Sequence, residues 1–227
     1  MGTPKEMLLE LLQDPEGLDD ELRRSLLEAL LQHPPRPRRI TYEEFLARVD
    51  EDTLAEWVDG EMITYTPASL KHQQTVMFLA QVMGGYVESH NLGRVVLAPF
   101  QMKLAHSGRE PDLIFVATKH LARLRETYLD GPADLVVEIL SSESRARDRG
   151  DKFYEYEEAG VVEYWLVDPE AEHAEFYALD ERRRYRLVLP DPEGIYRSRV
   201  LQGFWLRLEW LWEPPPVLDV MRQLGLV

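Results

Sequence analysis

The chain contains no cysteine. That excludes a disulfide framework and any cysteine-ligated zinc or iron–sulfur centre, and it makes a cytoplasmic setting the expected one. A run of about 18 apolar residues is also missing, so nothing reads as a transmembrane span and no membrane partner is expected. The opening residues, Met1-Gly2-Thr3-Pro4-Lys5-Glu6, lack the basic-then-apolar layout of a secretory signal. Positive charge is scarce: 26 Lys and Arg stand against 41 Asp and Glu, a formal net charge of −15. Affinity for phosphate backbones comes mainly from Lys and Arg, so strong non-specific nucleic-acid binding is not expected. A locally basic cleft is not excluded.

What is present is enough apolar material for a core, 44% of 227 residues, which suits one medium domain plus an appendage. Residues 1–33 read as an N-terminal helical hairpin, with Met7, Leu8, Leu11 and Leu12 on one stripe and Leu18, Leu22, Leu26 and Leu30 on another. A Pro/Arg linker, residues 34–39, leads to the main domain at 40–227. There, Thr41-Tyr42-Glu43-Glu44 has a capping-box pattern. Asp59-Gly60 between β-favouring flanks predicts a hairpin, with Glu61 opening its second strand. Pro67-Ala68-Ser69 opens a long helix whose His72, Val76, Leu79 and Met83 share one face, ending near Asn91-Leu92-Gly93.

Runs from Arg94 to Leu104, Asp112 to Val116 and Leu135 to Leu140 read as strands. Ser142 to Ala159 reads as a charged helix stopped by Gly160. Val161 to Val167 reads as a buried strand, residues 174–189 as a hairpin, Gly203 to Trp212 as an aromatic strand, and a short helix follows Pro214-Pro215-Pro216. The order predicts an α/β fold with a mixed central sheet flanked by helices.

Two acids interrupt the strand-like runs. Asp112 sits in Pro111-Asp112-Leu113-Ile114-Phe115-Val116, and Glu138 in Leu135-Val136-Val137-Glu138-Ile139-Leu140. Acids are disfavoured in strands and are rarely buried without a partner. Two of them on neighbouring strands repel unless a cation lies between, and Mg²⁺ accepts one or two carboxylates plus waters and phosphate oxygens. Lys152 follows on the next helix, in an i, i+4 stripe with Asp148 and Tyr156. Beside a metal it would orient water and neutralise developing charge. Glu61 offers a third carboxylate from the hairpin, and His72 lies on the inner face of its helix.

Together these residues resemble the PD-(D/E)XK nuclease superfamily and, more narrowly, its "Uma" branch of restriction-endonuclease-like proteins. The resemblance rests on Val58-Asp59-Gly60-Glu61, Pro67-Ala68-Ser69 with His72, Pro111-Asp112-Leu113, Val136-Val137-Glu138-Ile139-Leu140-Ser141, Lys152 with Tyr156, and Gly160-Val161-Val162-Glu163-Tyr164-Trp165-Leu166-Val167-Asp168. It covers roughly residues 40–212 and leaves out the N-terminal helices. It implies a restriction-endonuclease-like fold and a Mg²⁺-dependent endonuclease acting on DNA, with Mn²⁺ as substitute. The implied metal ligands are Asp112, Glu138, the Ile139 backbone carbonyl and Glu61. Lys152 is the implied catalytic cation, and His72 and Tyr156 support the site or contact phosphate. A homodimer or higher homo-oligomer is the expected assembly.

One position departs from the superfamily pattern: the place two residues after the second acid holds Leu140, so Lys152 must replace that lysine from the following helix. Four of these residues also have a plainer reading. Asp112 would be a strand-end acid with an arginine partner, Glu61 hairpin surface, His72 a core histidine and Lys152 part of a solvated face. Arg145, Arg147 and Arg149 read as intrahelical partners of Glu143, Asp148 and Asp151 ahead of phosphate contacts. The rival function is an inactive nuclease-fold module that binds nucleic acid or a protein.

Overall fold

The computed structural model describes residues 39–49, 55–64, 68–141 and 144–227. The expected N-terminal hairpin, and all of its linker but Arg39, lie outside them. The first helix, α1 (Tyr42–Leu46), carries the expected capping box: the Thr41 hydroxyl accepts from Glu44 N and the Glu44 carboxylate accepts from Thr41 N. β1 (Ala55–Val58) and β2 (Glu61–Thr64) form the expected hairpin. Asp59 and Gly60 turn it with φ of 47° and 89°, the paired positive values of a primed two-residue turn.

α2 (Leu70–Ser89) is capped by the Ser69 hydroxyl, which accepts from His72 N at 3.2 Å. It buries Phe78, Leu79, Val82, Met83, Tyr86 and Val87 along one face. The strands that follow are β3 (Gly93–Leu97), β4 (Gln101–Lys103), β5 (Ser107–Arg109), β6 (Leu113–Ala117), β7 (Tyr128–Asp130) and β8 (Leu135–Ile139). Two short helices, α3 (Arg145–Arg149) and α4 (Asp151–Ala159), lead to β9 (Glu163–Asp168), β10 (His173–Leu179), β11 (Tyr185–Leu187), β12 (Ile195–Arg197), β13 (Trp205–Arg207) and α5 (Val217–Gln223).

The strands divide into a six-stranded sheet, β11-β10-β9-β8-β6-β3, a five-stranded sheet, β2-β1-β5-β4-β7, and the ribbon β12-β13. Both larger sheets are mixed, since β8 runs parallel to β9 and β4 parallel to β7. The fold is therefore α/β with mixed sheets flanked by helices. Where one central sheet is expected, the chain builds two, because the 94–104 run breaks at Ala98-Pro99-Phe100 and β3 and β4 go to different sheets.

Strand alternation sorts the core into two layers. Leu113, Phe115, Leu135, Val137 and Ile139 face α2, and Ile114, Val116, Val136 and Leu140 face Tyr156 of α4. By this period Glu138 belongs to the α4 side. Two further expectations are corrected. The 142–159 helix breaks at Gly150, whose φ, ψ of −108°, −98° are not helical. Of Gly203 to Trp212, only Trp205–Arg207 is strand, and Leu208–Leu211 winds into a 3₁₀ turn that buries Trp210 and Leu211. No helix among the described residues is long and apolar enough to cross a membrane.

Candidate active site

Sheet register brings the acids together. β6 pairs antiparallel with β8, with Leu113 opposite Val137, so Asp112 arrives level with the end of β8. Its Oδ2 accepts from Ile139 N at 2.7 Å, which fixes the carboxylate against the backbone beside Glu138. Its Oδ1 lies 3.2 Å from His72 Nε2, contributed by the first turn of α2. These two side chains form the rim of the site, 20% and 12% exposed for Asp112 and His72, respectively.

Beneath the rim the site is closed. Lys152, in the first turn of α4, is 3% exposed. Its Nζ reaches Glu138 Oε1 at 2.9 Å, Glu56 Oε1 at 3.0 Å and Asp148 Oδ1 at 3.2 Å. The Tyr156 hydroxyl, one turn on, donates to the same Glu138 Oε1 at 2.9 Å. Glu56 comes from β1, an interior strand with β2 on one side and β5 on the other, and is 0% exposed. It also accepts from Glu110 N and from the Arg109 guanidinium, both at 3.1 Å. Arg109 is itself clamped by Glu155, whose other oxygen takes the Ser107 hydroxyl.

The charges do not balance. Among the described residues, Glu56, Glu110, Asp112, Glu138 and Asp148 gather where Lys152 and Arg109 are the nearest fixed cations. Burial pushes the Glu138 carboxyl well above its ordinary range; Lys152 opposes this, while Asp148, Asp112 and Glu56 add to it. Glu110 is pushed up to about 7, first by burial and then by Glu56 and Asp112, against the opposing Gln101 hydrogen bond and Lys152 charge. For His72 burial alone would lower the value, but the hydrogen bond and charge of Asp112 prevail and raise it, helped by the Ile139 backbone and Asp148.

Asp112, Glu138, Ile139, Lys152, His72 and Tyr156 thus fall in one place. Glu61 does not. It is exposed at the start of β2, opposite Val58, because β2 is the last strand of its sheet. The carboxylate that this hairpin delivers is Glu56. Glu110 and Asp148 are further members that the sequence reading passed over. For Asp148 a signal existed: it shares the i, i+4 stripe of Lys152 and Tyr156. Arg145 and Arg149 of α3 also differ from expectation. Arg145 pairs with Asp168 and Arg149 with Glu175, each at 2.6 Å, so they tie α3 to β9 and β10 rather than bridging within the helix. Asp148 turns inward instead, and Glu143 lies outside the described residues.

Among the described residues, no three His, Asp or Glu side chains converge closely enough to hold a metal by themselves. The donor set nevertheless fits a hard divalent cation, which takes one or two carboxylates with carbonyl and water oxygens. Asp112, Glu138 and the Ile139 carbonyl are such a set. The excess of carboxylates is the observation that favours a cation: burial is the main cause that pushes Glu138 and Glu110 toward protonation, neighbouring carboxylates add to it, and a cation would offset both.

A solved structure from Anabaena variabilis ATCC 29413, described as a "putative nuclease belonging to DUF820", matches with a TM-score of 0.66 at 17% identity, over 77% of this chain and 98% of that one. At that identity the likeness establishes the fold. Among curated proteins, none matches. The family model that matches is Uma2, whose description is "Putative restriction endonuclease", and a nuclease function is what that family supports. Its match runs over residues 42–209, through every element that builds the acid–lysine cluster, and the chain therefore belongs to the Uma2 family.

Proposed function

We propose that the protein is a metal-dependent endonuclease that hydrolyses phosphodiester bonds in DNA. The observation that carries this reading is the buried Lys152 amino group, held 2.9 Å from Glu138, whose chain neighbour Ile139 donates its N–H to Asp112 at the rim. A lysine sealed among carboxylates at a strand end is costly to bury and useful for phosphoryl chemistry. Asp112, Glu138 and the Ile139 carbonyl would hold Mg²⁺, with Mn²⁺ as substitute. When bound, the metal would lower the pKa of a coordinated water and polarise the phosphate.

The chain's own residues do the rest. A phosphodiester approaches across the Asp112–His72 rim, a partly exposed edge of the cluster. His72 holds Asp112 Oδ1 while Ile139 N holds Oδ2, so this carboxylate cannot rotate away. Lys152 donates to the attacking water and offers positive charge to the phosphorus centre as negative charge grows there. Tyr156 fixes the Glu138 oxygen that Lys152 shares.

The test incubates the protein with supercoiled plasmid, single-stranded DNA and RNA, in Mg²⁺, Mn²⁺ or EDTA, beside Asp112→Ala and Lys152→Ala. The expected result is DNA cleavage that EDTA abolishes and that falls roughly 10²–10³-fold in either variant. Cleavage of RNA alone would reassign the substrate. Absence of cleavage together with no Mn²⁺ uptake in calorimetry would overturn the reading.

A further inference from the structure

We propose that Asp148 is a positioning residue for Lys152, whose carboxylate holds the amino group inside the cluster and aims it at Glu138; the inference rests on the nuclease reading only in making Lys152 a catalytic group. Three carboxylates surround that amino group, and they are not equivalent. Glu138 has a second donor in the Tyr156 hydroxyl. Glu56 has the Arg109 guanidinium and the Glu110 N–H. Asp148 is 1% exposed, and neither of its oxygens has a hydrogen-bond partner among the described residues. Its compensation is the Lys152 charge at 3.2 Å.

A buried carboxylate without donors is costly, and natural structures keep few of them. Asp148 therefore does not earn its place as a structural acid. Its backbone does serve the fold, since its carbonyl accepts from the Tyr164 hydroxyl at 3.1 Å, but the side chain has no comparable task. Local geometry supports the pairing. Asp148 and Lys152 lie on opposite sides of the Gly150 break, so their i, i+4 contact joins two helices rather than bracing one. A Cβ at residue 150 would meet the Ala146 carbonyl oxygen at 2.9 Å, tighter than a side chain accepts without a shift. Arg145 and Arg149 anchor α3 to β9 and β10, which fixes the platform from which Asp148 reaches inward.

Asp148 thus supplies a third negative charge that binds Lys152 without competing for a donor needed elsewhere. Without it the amino group loses the carboxylate that approaches from the helical side, while Glu138 and Glu56 approach from strands.

The experiment combines two readouts on the full chain. The first is the rate at which a small amine-reactive acylating reagent labels Lys152, followed by peptide mass spectrometry, with the remaining lysines as internal reference. In Asp148→Asn the Lys152 rate is expected to rise roughly tenfold while the others stay constant. In Asp148→Glu, which keeps the charge, labelling stays slow. The second is DNA cleavage, where Asp148→Asn lowers kcat roughly 10²-fold with KM unchanged, as a misplaced catalytic group would, and Asp148→Glu recovers part of the loss. Unchanged Lys152 labelling in a folded Asp148→Asn protein would overturn the assignment. So would fast labelling in Asp148→Glu, which would show that packing rather than charge holds the lysine, and this arm decides even if Asp148→Asn fails to fold. A wild-type protein that cuts no DNA would defeat the nuclease reading while the labelling arm still judged Asp148.

Discussion

Two glutamates are buried on adjoining parallel strands, Glu138 on β8 and Glu163 on β9, and their surroundings are opposite in kind. Glu163 is 0% exposed and is saturated by neutral donors: Trp165 Nε1 and the Tyr196 hydroxyl on one oxygen, and the Ser198 hydroxyl, Arg199 N and Val200 N on the other. Among the described residues, no cation takes part in that set. It ties β9 to the segment after β12 and is a structural device. Glu138 has one neutral donor, Tyr156, and shares one cation with two other acids. Burial by itself therefore does not mark a functional acid. The mark is burial with too few donors and a contested positive charge.

Substitution should separate the two environments, and the largest effect is expected on activity. Glu138→Gln should lower DNA cleavage roughly 10²–10³-fold. It should cost less stability than its counterpart, because Glu56 and Asp148 still hold the Lys152 charge. Glu163→Gln should do the reverse. An amide nitrogen would face donors on whichever side it lay, at a cost of about 3 kcal/mol in denaturant unfolding, with cleavage intact wherever the protein is folded. If both variants lost stability equally and activity equally, the distinction would fail.

A smaller effect comes from Tyr156→Phe, which removes Glu138's neutral donor. It should cost about 1 kcal/mol of stability and reduce cleavage far less than Glu138→Gln does. Losses equal to those of Glu138→Gln would make Tyr156 part of the chemistry.

The smallest contrast lies at the other end of α4. Glu157 accepts from the Arg184 guanidinium and from Tyr185 N. Burial opposes ionisation there, but these two hydrogen bonds prevail and hold the carboxyl below its ordinary 4.5. A depressed value means stability present above that range and lost as the pH falls through the folded value. Thermal melting should therefore show the wild type more stable than Glu157→Gln near neutrality, with the gap closing below pH 4.5. A gap independent of pH would remove the electrostatic explanation.

Much of this was legible in the sequence, for identifiable reasons. Asp112 and Glu138 stand out because each breaks an apolar run, a local signal. The Asp59-Gly60 turn and the helix start at Ser69 are local as well, and both fold as expected. Glu56 and Glu61 lie on the two arms of one hairpin, and nothing in their neighbourhood says which arm is interior. That depends on β5 pairing with β1, a contact made by residues about fifty positions away, such as Gly108 opposite Trp57. Asp148 was obscured differently. In a segment reading Arg145-Ala146-Arg147-Asp148-Arg149 it looks like a partner for its neighbours, yet Arg145 docks on Asp168 and Arg149 on Glu175, and Asp148 turns to Lys152.

The cluster straddles the two large sheets: Glu56 and Arg109 belong to the smaller, Glu138 to the larger, and Lys152 to a helix that touches both through them. Arg109 meets Glu56 across 53 residues of chain. Pairings of that sequence separation form late, after local elements are in place. A half-folded chain would carry all of the acids and no assembled centre. The geometry of the centre thus depends on both sheets at once, and neither sheet carries it alone.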